Sequence, residues 1–344
     1  MTRAKEIKCV VWDLDGTLWD GVLAEMDSVT LKPGVKEVIR TLDARGILHS
    51  IASRNDYDDA MHKLTEFGLD GYFLYPRIGW NAKSVAIAKL CSDLNIQTDA
   101  IMFIDDDPME RDEVKSEHPD VTCLDASQYN TLPAHPRLNP RFVTEDARQR
   151  RLMYLADTKR KQDEDSYEGP KKEFLASLKM QFIISQAKDE DLRRAEELTA
   201  RTNQLNTTGR TYSYDDLRTF ISSPKHRLLV CEMNDKYGSY GKIGLALIEI
   251  AEDRFHLRLF LMSCRVMSRG VGTVLLSYIM QEAKKAKKRL KADFRNTGRN
   301  RMMHITFAFA NFRATESDDS GNIVLENDLS VIQGYPSYID VQVR

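Results

Sequence analysis

Residues 10–21 read VVWDLDGTLWDG, an apolar run that ends at two carboxylates, Asp13 and Asp15, followed at once by Gly-Thr. Side chains on a strand alternate between its two faces, so these carboxylates share one side only where the strand ends. Open α/β sheets bind ligands at the carboxyl ends of their strands. Paired carboxylates there suit a magnesium ion that holds a phosphate, with one Asp attacking phosphorus and the other transferring a proton.

Three later segments supply side chains for the same site. Ser53 follows the apolar run of IASRND, where its hydroxyl can donate to a phosphate oxygen. Lys83, in GWNAKS, starts a predicted helix and places a cation beside a helix N-terminus, which itself attracts phosphate. FIDDDPMERDE adds Asp105 and Asp106 after a further strand, and hard oxygen ligands favour magnesium. Taken singly, the segments also fit a helix cap, a solvated lysine and an acidic turn, whereas in this order they predict a phosphate site.

Composition limits the class of protein. The chain has 344 residues, 42% hydrophobic and 30% charged, which is enough for two domains with sizeable cores. A net charge of -2 gives no global case for binding nucleic acid or membranes. Because no stretch approaches the roughly 18 apolar residues of a membrane span and the start has no signal-peptide pattern, we expect a cytoplasmic protein.

The chain divides by pattern into two domains. Residues 7–125 alternate strands and helices in the manner of a doubly wound parallel sheet. We place the first domain at 1–130, a charged linker with one or two solvated helices at 131–180, and the second domain at 181–344. The second domain is predicted to contain a mainly antiparallel strand series, a glycine loop, a long helix and late strands. The short gap between the first two site segments leaves no room for a large cap domain, which predicts an open site.

Cys264 marks a second candidate site. It ends the strand HLRLFLMS and precedes RVMSRGVG and a long amphipathic helix. Strand, glycine loop and helix start form a nest of N–H groups suited to a pyrophosphate or a phosphopantetheine arm. A thiol in this position can act as a nucleophile, and a small core residue at a strand end is the alternative. The lysine-rich run 284–291 fits either a solvated helix end or a docking patch for an acidic carrier protein.

The ordered segments DLDGT, IASRND, GWNAKS and FIDDDPMERDE resemble the haloacid dehalogenase superfamily of aspartyl phosphotransferases, in the form of its phosphatases. The resemblance implies Asp13 as the nucleophile, through an aspartyl-phosphate, and Asp15 as the general acid and base. The implied phosphate ligands are Ser53, Lys83 and Thr17. The implied magnesium ligands are Asp13, Asp15 through its carbonyl, and Asp105, whose role Asp106 can share or replace.

The second half resembles GNAT acetyltransferases in the acyl-CoA loop, residues 267–272, although Met267 stands where Gln or Arg is usual. With RTNQLNTTGRTYS and FLMSCRVMSRGVG, nearly the full chain resembles the FkbH-like family of glyceryl–carrier-protein synthases from polyketide pathways. The resemblance implies that D-1,3-bisphosphoglycerate loses phosphate, that its glyceryl group is held on Cys264, and that an acyl carrier protein receives it on phosphopantetheine. The residues assigned to the acyl or pantetheine chain are Asn203, Gln204, Asn206, Arg265, Arg269, Gly270 and Gly272. QLN, residues 204–206, also fits an interhelix cap.

We therefore expect an α/β protein with a haloacid dehalogenase-like doubly wound parallel sheet, followed by a GNAT-like domain with a mainly antiparallel sheet. We expect a magnesium-dependent hydrolase coupled to a glyceryl transferase, whose partners are a phosphorylated three-carbon acid and a phosphopantetheinylated carrier protein, without nucleic acid or membrane. One alternative is a phosphatase with a degenerate GNAT-like docking module for a carrier protein. Another is an acetyl-CoA-dependent acetyltransferase fused to a phosphatase. The order of the two steps, the carrier protein and the oligomeric state stay open.

Overall fold

The computed structural model describes residues 6–25 and 28–344 of the chain. The chain forms two compact units, Met1–Leu155 and Ala156–Arg344, and the division falls within one helix. Within the described part of the chain, no helix is both long and apolar enough to cross a membrane. Both units combine helices with a sheet, as the sequence predicts.

The first unit is built on one parallel sheet. Its strands and helices are β1 Cys9–Trp12, β2 Trp19–Asp20, β3 Thr30–Leu31, α1 Val35–Ala44, β4 Leu48–Ser53, α2 Tyr57–Glu66, β5 Arg77–Ile78, α3 Lys83–Leu94, β6 Ile101–Asp105, α4 Pro108–Glu117, β7 Thr122–Asp125 and α5 Glu145–Arg148. The sheet has the order β5-β4-β1-β6-β7, and every neighbouring pair is parallel. Strands β2 and β3 form a separate antiparallel pair. The predicted doubly wound parallel sheet is confirmed.

Helices cover both faces of this sheet. On β1, Val10 and Trp12 pack in the cluster that includes α1 and α2, whereas Cys9 and Val11 pack in the cluster that includes α3 and α4. All four side chains are fully buried, as expected for a strand between two layers of helices. Because β1 lies between β4 and β6, the residues that follow these three strands meet at one edge of the sheet.

A buried histidine forms part of this core. His49 on β4 is fully buried, its Nδ1 accepts from Nε1 of Trp12 at 3.0 Å, and its Nε2 lies 3.1 Å from the carbonyl oxygen of Ile39. Burial lowers the pKa of His49 to about 3, so the ring is neutral at physiological pH. Both ring nitrogens have partners, and the residue is part of the packing between β4 and its neighbours.

The second unit is built on an eight-stranded mixed sheet. Its helices and strands, beginning with the helix that contains the division, are α6 Arg150–Asp165, α7 Lys171–Ser177, β8 Met180–Gln186, α8 Leu192–Arg201, α9 Tyr214–Ile221, β9 His226–Asp235, β10 Gly238–Ile250, β11 Arg254–Met262, α10 Val271–Lys285, β12 Arg289–Arg295, α11 Arg301–Phe309, β13 Arg313–Ser317, β14 Asn322–Asn327 and β15 Ile339–Val343. The order is β13-β14-β12-β11-β10-β9-β8-β15. The pairs β11–β12 and β8–β15 are parallel and the others antiparallel, which confirms the mainly antiparallel sheet.

Helices α8 and α9 pack on one face of this sheet, and α10 and α11 pack on the other. The pairing of β11 with β12 ends at Leu257. Beyond that point residues 205–207 lie between the two strands, because the N–H of Thr207 donates to the carbonyl of Phe260 at 3.0 Å and the N–H of Arg295 donates to the carbonyl of Thr207 at 3.0 Å. The loop after α8 thus fills the space between the diverging strands.

The sequence predicts only late strands after the long helix, whereas residues 301–309 form a further helix, α11. The run HITFAF has the β-branched and aromatic composition of a strand. Met303 and Phe307 lie four residues apart and are both buried, so the helical period decides which side chains reach the core. Tertiary packing therefore overrides local composition in this segment.

The charged segment predicted as a linker with solvated helices is partly a packed element of the second unit. Arg160 on α6 is fully buried, and its guanidinium pairs with Asp235 and with Asp157, each at 2.7 Å. The same group lies 3.8 Å from the ring centroid of Tyr240. Phe174 on α7 is also buried in the core. Because Asp235 is 75 residues from Arg160, the sequence pattern around α6 does not show this burial.

Candidate active site

Three polar side chains from neighbouring strands meet at the carboxyl edge of the first sheet. Asp13 directly follows β1, Ser53 is the last residue of β4, and Asp105 is the last residue of β6. All three are buried, with at most 5% of the residue exposed. The hydroxyl of Ser53 is hydrogen-bonded to the carboxylate of Asp13. The structure thus brings together residues that the sequence placed after separate strands.

Lys83 joins two of these groups. It is the first residue of α3, and its Nζ lies 3.0 Å from Oδ1 of Asp13 and 2.6 Å from Oδ2 of Asp105. Lys83 is itself only 5% exposed. A buried ammonium between two buried carboxylates offsets part of the cost of removing those charges from water.

The charges in this group shift each other's titration. Burial raises the pKa of Asp13 above its usual range, and the nearby Lys83 ammonium lowers it by less than burial raises it. Burial likewise raises the pKa of Asp105, with Lys83 again opposing the effect. Burial alone would lower the pKa of Lys83, but the two carboxylates more than offset it and the net shift is upward. The group therefore carries an excess of carboxylate, which an additional cation would stabilise.

A third carboxylate completes an oxygen cluster. One carboxylate oxygen from each of Asp13, Asp105 and Asp106 lies within 4.8 Å of the others. Asp106 is exposed and the other two are buried, so the cluster faces solvent on the Asp106 side. Hard oxygen donors of this kind are the ligands that magnesium prefers. The donor set fits the predicted ion, and both Asp105 and Asp106, between which the sequence did not decide, lie within reach of it.

The carboxylate of Asp15 lies outside this cluster of oxygens and is fixed by donors of its own. Its Oδ1 accepts from Nε1 of Trp19 at 2.7 Å and from the N–H of Leu23 at 3.0 Å, and its Oδ2 accepts from Nδ2 of Asn55 at 2.9 Å. Asn55 is buried and also lies 3.3 Å from Oγ of Ser53. Sequence reasoning missed Asn55, although its position two residues after Ser53 in IASRND was an available signal.

Thr17 and Gly16 hold Asp106 at the edge of the cluster. The hydroxyl of Thr17 donates to Oδ1 of Asp106 at 3.1 Å and accepts from its N–H at 3.0 Å. Gly16 has φ +66°, and a Cβ at this position would lie 2.7 Å from Cγ of Asp106. Thr17 is thus a support for Asp106, and its role as a phosphate ligand stays a prediction.

A cleft of about 280 Å³ opens beside Ser53 and Lys83. Its remaining walls come from α2, from the segment around β5, and from the first turns of α3. These lining residues are Tyr57, Pro76, Arg77, Ile78, Gly79, Asn81, Val85, Ala86 and Lys89. The cleft adjoins Ser53 and Lys83, so it is open space directly beside the predicted phosphate site.

In the second unit, Cys264 occupies the predicted junction. It begins a short 3-10 helix, residues 264–269, that follows β11 after one residue. The thiol is half-buried and packs against the apolar core of the unit. Gly270, with φ +78°, leads into α10, whose N-terminus is not capped by a side chain. Gly272 lies in the first turn of that helix, so the order of strand, cysteine, glycine turn and helix is present.

The arginines that flank Cys264 make contacts inside the unit. Arg265 donates to the carbonyl oxygen of Tyr240 at 2.8 Å. Arg269 is 7% exposed and pairs with Glu164 at 2.9 Å. Both contacts anchor the 3-10 helix to neighbouring elements, β10 and α6. The structure therefore uses these two guanidinium groups for support, and their predicted contact with an acyl or pantetheine chain stays a prediction.

The QLN segment lies beside the end of β11, where Asn206 bridges to Leu261. Asn206 is fully buried, and its Oδ1 accepts from the N–H groups of Thr208 at 3.1 Å and Gly209 at 3.0 Å. Its Nδ2 donates to the carbonyl of Arg210 at 3.3 Å. This side chain stabilises its own loop, which favours the cap alternative for QLN. Of the two other predicted residues here, Gln204 in the segment is half-buried and Asn203 just before it is exposed.

Comparison with known families agrees with this geometry. Residues 20–110 match the family of haloacid dehalogenase-like hydrolases. The match includes Ser53, Lys83, Asp105 and Asp106, whereas the DLDGT segment precedes it. The first unit thus contains a haloacid dehalogenase-like hydrolase domain. None of the curated proteins matches this chain.

Solved structures are similar to parts of the chain. The N-terminal part of BF1531 from Bacteroides fragilis, which contains a phosphatase domain and is complexed with Mg, is 27% identical over 36% of this chain, with a TM-score of 0.31. This chain spans 38% of the length of that protein. The PaiA N-acetyltransferase of Thermoplasma acidophilum, in complex with coenzyme A, is 16% identical over 42% of this chain and 98% of its own, with a TM-score of 0.34. An N-acetyltransferase from Staphylococcus aureus is 17% identical over 43% of this chain and 99% of its own, with a TM-score of 0.34.

Proposed function

We propose that this protein is a cytoplasmic enzyme that removes phosphate from a phosphorylated three-carbon acid and transfers the acyl group, through Cys264, to an acyl carrier protein. The observation that carries the phosphatase half is the buried arrangement of Asp13, Lys83 and Asp105 at the ends of adjacent parallel strands. The substrate D-1,3-bisphosphoglycerate and a place in polyketide biosynthesis rest on the resemblance to the FkbH-like family.

In the proposed phosphatase reaction, an oxygen of Asp13 forms a bond to phosphorus while the bond from phosphorus to the leaving oxygen breaks. Asp15 gives its proton to that leaving oxygen. Water then attacks the aspartyl-phosphate and passes a proton to Asp15, which restores Asp13 and releases phosphate. The donors around Asp15 fix its orientation for both transfers, and the hydroxyl of Ser53 and the ammonium of Lys83 bind phosphate oxygens.

Asp13, Asp105 and Asp106 would hold a magnesium ion. When bound, the ion supplies positive charge that neutralises the phosphate and the carboxylates around it. Lys83 contributes a fixed positive charge of its own to the same group, and it favours the ionised form of Asp13 that attack requires.

In the proposed transfer, the Cys264 thiolate attacks the carbonyl carbon of an acyl phosphate and phosphate leaves, which gives a thioester. The pantetheine thiol of the carrier protein loses its proton to solvent, and the resulting thiolate attacks that thioester and releases the Cys264 thiolate. Because the acyl phosphate is already activated, neither step needs ATP. The position of Cys264 at a strand end before a glycine turn and an uncapped helix start supports this assignment.

Two reciprocal variants test the proposal. Asp13→Asn should reduce phosphate release from an aryl phosphate by at least about 10³-fold, because the nucleophile is lost while the shape is kept. Cys264→Ala should keep that activity but lose the glyceryl adduct that intact-protein mass spectrometry detects after mixing with 1,3-bisphosphoglycerate. Cys91→Ala is the matched control, since Cys91 is also a half-buried thiol but lies on α3 of the other unit.

The outcomes separate the alternatives. Undiminished phosphate release by Asp13→Asn contradicts the aspartyl-phosphate mechanism. An adduct that survives in Cys264→Ala removes the assignment of Cys264, and the absence of any adduct on the parent protein leaves a phosphatase whose second unit serves another purpose, such as docking. An acetyl adduct or acetyl transfer from acetyl-CoA favours the acetyltransferase alternative.

A further inference from the structure

Two loops of the second unit have the same short sequence and the same conformation. Thr-Gly-Arg occurs at residues 208–210, after α8, and again at residues 297–299, after β12. Both glycines have positive φ, +66° and +73°. In both loops the arginine N–H donates to the threonine hydroxyl, at 3.3 Å in the first and 3.4 Å in the second. We refer to residues 206–210 and 296–300 as the TGR loops.

One buried side chain ties the TGR loops together. Asn300 is fully buried, and its Nδ2 lies 2.9 Å from the carbonyl oxygen of Asn206 in the first loop and 2.9 Å from that of Arg295 beside the second. Its Oδ1 accepts from the N–H of Thr297 at 3.1 Å. Hydrogen bonds to a buried amide fix the two loops relative to each other, so the arginines they carry form one surface.

This surface, which we call the TGR surface, is strongly basic. It consists of four exposed arginines, which are Arg210, Arg295, Arg299 and Arg301. Within the part of the chain that the structure describes, none of the four guanidinium groups makes a hydrogen bond or a salt bridge. Arg295 does have a carboxylate nearby, because the pKa of Asp318, lowered mainly by its hydrogen bonds with Asn322, is also lowered by the charge of Arg295. Four other arginines of the unit, Arg160, Arg258, Arg269 and Arg289, each pair with a carboxylate. The positive charges of Arg210, Arg299 and Arg301 are therefore available to a ligand, with Arg295 beside them.

The lysine-rich run that the sequence analysis considered for docking differs in this respect. Lys285 pairs with Glu282 at 3.1 Å, and Lys291 pairs with Glu316 at 2.7 Å. Lys284 donates to the carbonyl of Leu329 at 3.0 Å. These contacts stabilise the end of α10 and the start of β12, so the larger reserve of unpaired positive charge lies on the TGR surface.

The first TGR loop is adjacent to the strand that leads to Cys264. Asn206 bridges to Leu261 on β11, and the N–H of Met262 donates to the carbonyl of Leu205 at 2.9 Å. Cys264 follows two residues after Met262. A partner bound at the TGR surface would therefore lie next to the end of β11, the strand that precedes Cys264 in the chain.

We propose that the TGR surface is the docking site for the acidic face of the carrier protein that receives the acyl group. The inference rests on the proposed transfer through Cys264. Guanidinium groups suit this partner because they bind carboxylates in a bidentate manner and attract an acidic protein before contact. The four arginines make no hydrogen bond or salt bridge, and the loops that carry Arg210 and Arg299 are held together by Asn300. This arrangement suits a protein surface of fixed shape.

The test compares two full-length variants that lose the same charge. Arg210→Gln/Arg299→Gln removes one arginine from each TGR loop, and Lys285→Gln/Lys287→Gln removes two charges from the end of α10 and the residues after it. The probe is a fluorescently labelled holo acyl carrier protein, and the measurement is fluorescence anisotropy at low and at physiological salt. We expect the arginine variant to weaken binding by on the order of tenfold or more, and the lysine variant by less than about twofold. The loss should shrink at higher salt, where surface charges are screened.

A second readout separates this proposal from the proposed function. The glyceryl adduct on Cys264, formed without carrier protein, should be unchanged in the arginine variant. A parent protein that forms no adduct contradicts the proposed function. Normal adduct formation with carrier binding that the arginine substitutions do not weaken, or that both variants weaken equally, overturns the docking site. Tighter, arginine-dependent binding of a single-stranded RNA oligonucleotide than of the carrier protein would also overturn it.

Discussion

Replacing Lys83 by Met should destabilise the first unit more at about pH 8 than at about pH 5. Met keeps most of the aliphatic stem and removes the ammonium that lies 3.0 Å from Asp13 and 2.6 Å from Asp105. Breaking a buried ion pair by removing one partner costs about 3–5 kcal/mol, because the remaining charge stays buried without compensation. Here two carboxylates lose their shared cation, so we expect a loss in the free energy of unfolding in this range at pH 8.

The pH dependence follows from the direction of the carboxyl shifts. Burial raises the pKa of both Asp13 and Asp105, so in the folded protein they bind protons at a higher pH than in the unfolded chain. The destabilisation by an ionised, buried carboxylate is therefore full above the raised pKa and fades as pH falls toward the unfolded value. At about pH 5 more of the carboxyl groups are neutral, and the loss caused by Lys83→Met should fall to roughly half or less.

Tryptophan fluorescence during urea unfolding measures the free energy of unfolding of the first unit alone. The three tryptophans of the chain are Trp12, Trp19 and Trp80, all within Met1–Leu155. Lys89→Met is the matched control, because Lys89 is exposed on the same helix and its loss should cost less than about 0.5 kcal/mol. A loss for Lys83→Met below about 1 kcal/mol at pH 8, or an equal loss at both pH values, would refute the view that Lys83 compensates buried charge.

Three further experiments test the metal site, the backbone at Gly16 and the buried His49 of the same unit. Magnesium should raise the midpoint of first-unit unfolding in the parent protein but much less in Asp105→Asn. Exhaustive chelation should stop phosphate release. Turnover that continues after chelation would contradict the assignment of the oxygen cluster as a metal site. Gly16→Ala should reduce phosphate release by at least about tenfold, because its Cβ would displace Asp106 and its positive φ adds about 1–2 kcal/mol of strain, whereas Gly79→Ala, where a Cβ meets nothing, should affect the cluster less. Because the folded pKa of His49 is about 3, the unfolded chain binds a proton at this residue at a higher pH than the folded protein does. The free energy of unfolding should therefore fall by about 2 kcal/mol between pH 7 and pH 5 through this residue. Urea titrations of His49→Gln should lack that part of the pH dependence.

The sequence was most informative for the first unit, and the reason is local. A buried parallel strand is a mainly apolar run, and a polar residue follows its last apolar residues, so the positions of Asp13, Ser53 and Asp105 at strand ends could be predicted individually. The order of the strands then places them together. Asn55 was missed because its function is to donate to Asp15, a contact 40 residues away that no local pattern encodes. Asp107 and Pro108, a helix cap followed by proline, mark the start of helix α4. The acidic run that contains them was interpreted as a metal site rather than as a helix start.

The second unit was harder to predict because its important contacts join distant segments. A highly charged sequence such as that of α6 is ordinarily solvated, and Arg160 is buried because Asp235 and Tyr240, on the β9–β10 hairpin, supply a carboxylate and an aromatic face. Asn206 is a candidate ligand by sequence, and in the structure the polar atoms of its side chain bind within its own loop. In both cases the hydrogen-bond partners of the side chain, and not its residue type, decide what the residue does.

The arginines of the second unit fall into two groups, and the division bears on how acyl transfer would be organised. Arg265 and Arg269, which flank Cys264 in sequence, have contacts to Tyr240 and Glu164 that hold the 3-10 helix in place. These contacts use part of each guanidinium group for support, so we propose that an acidic protein surface approaching Cys264 finds further positive charge elsewhere. The TGR surface would supply it, and its first loop is bridged to the end of β11. In the proposed arrangement the residues beside the thiol would set its position and residues distant in sequence would select the partner, so the sequence around Cys264 alone would not identify the acyl acceptor.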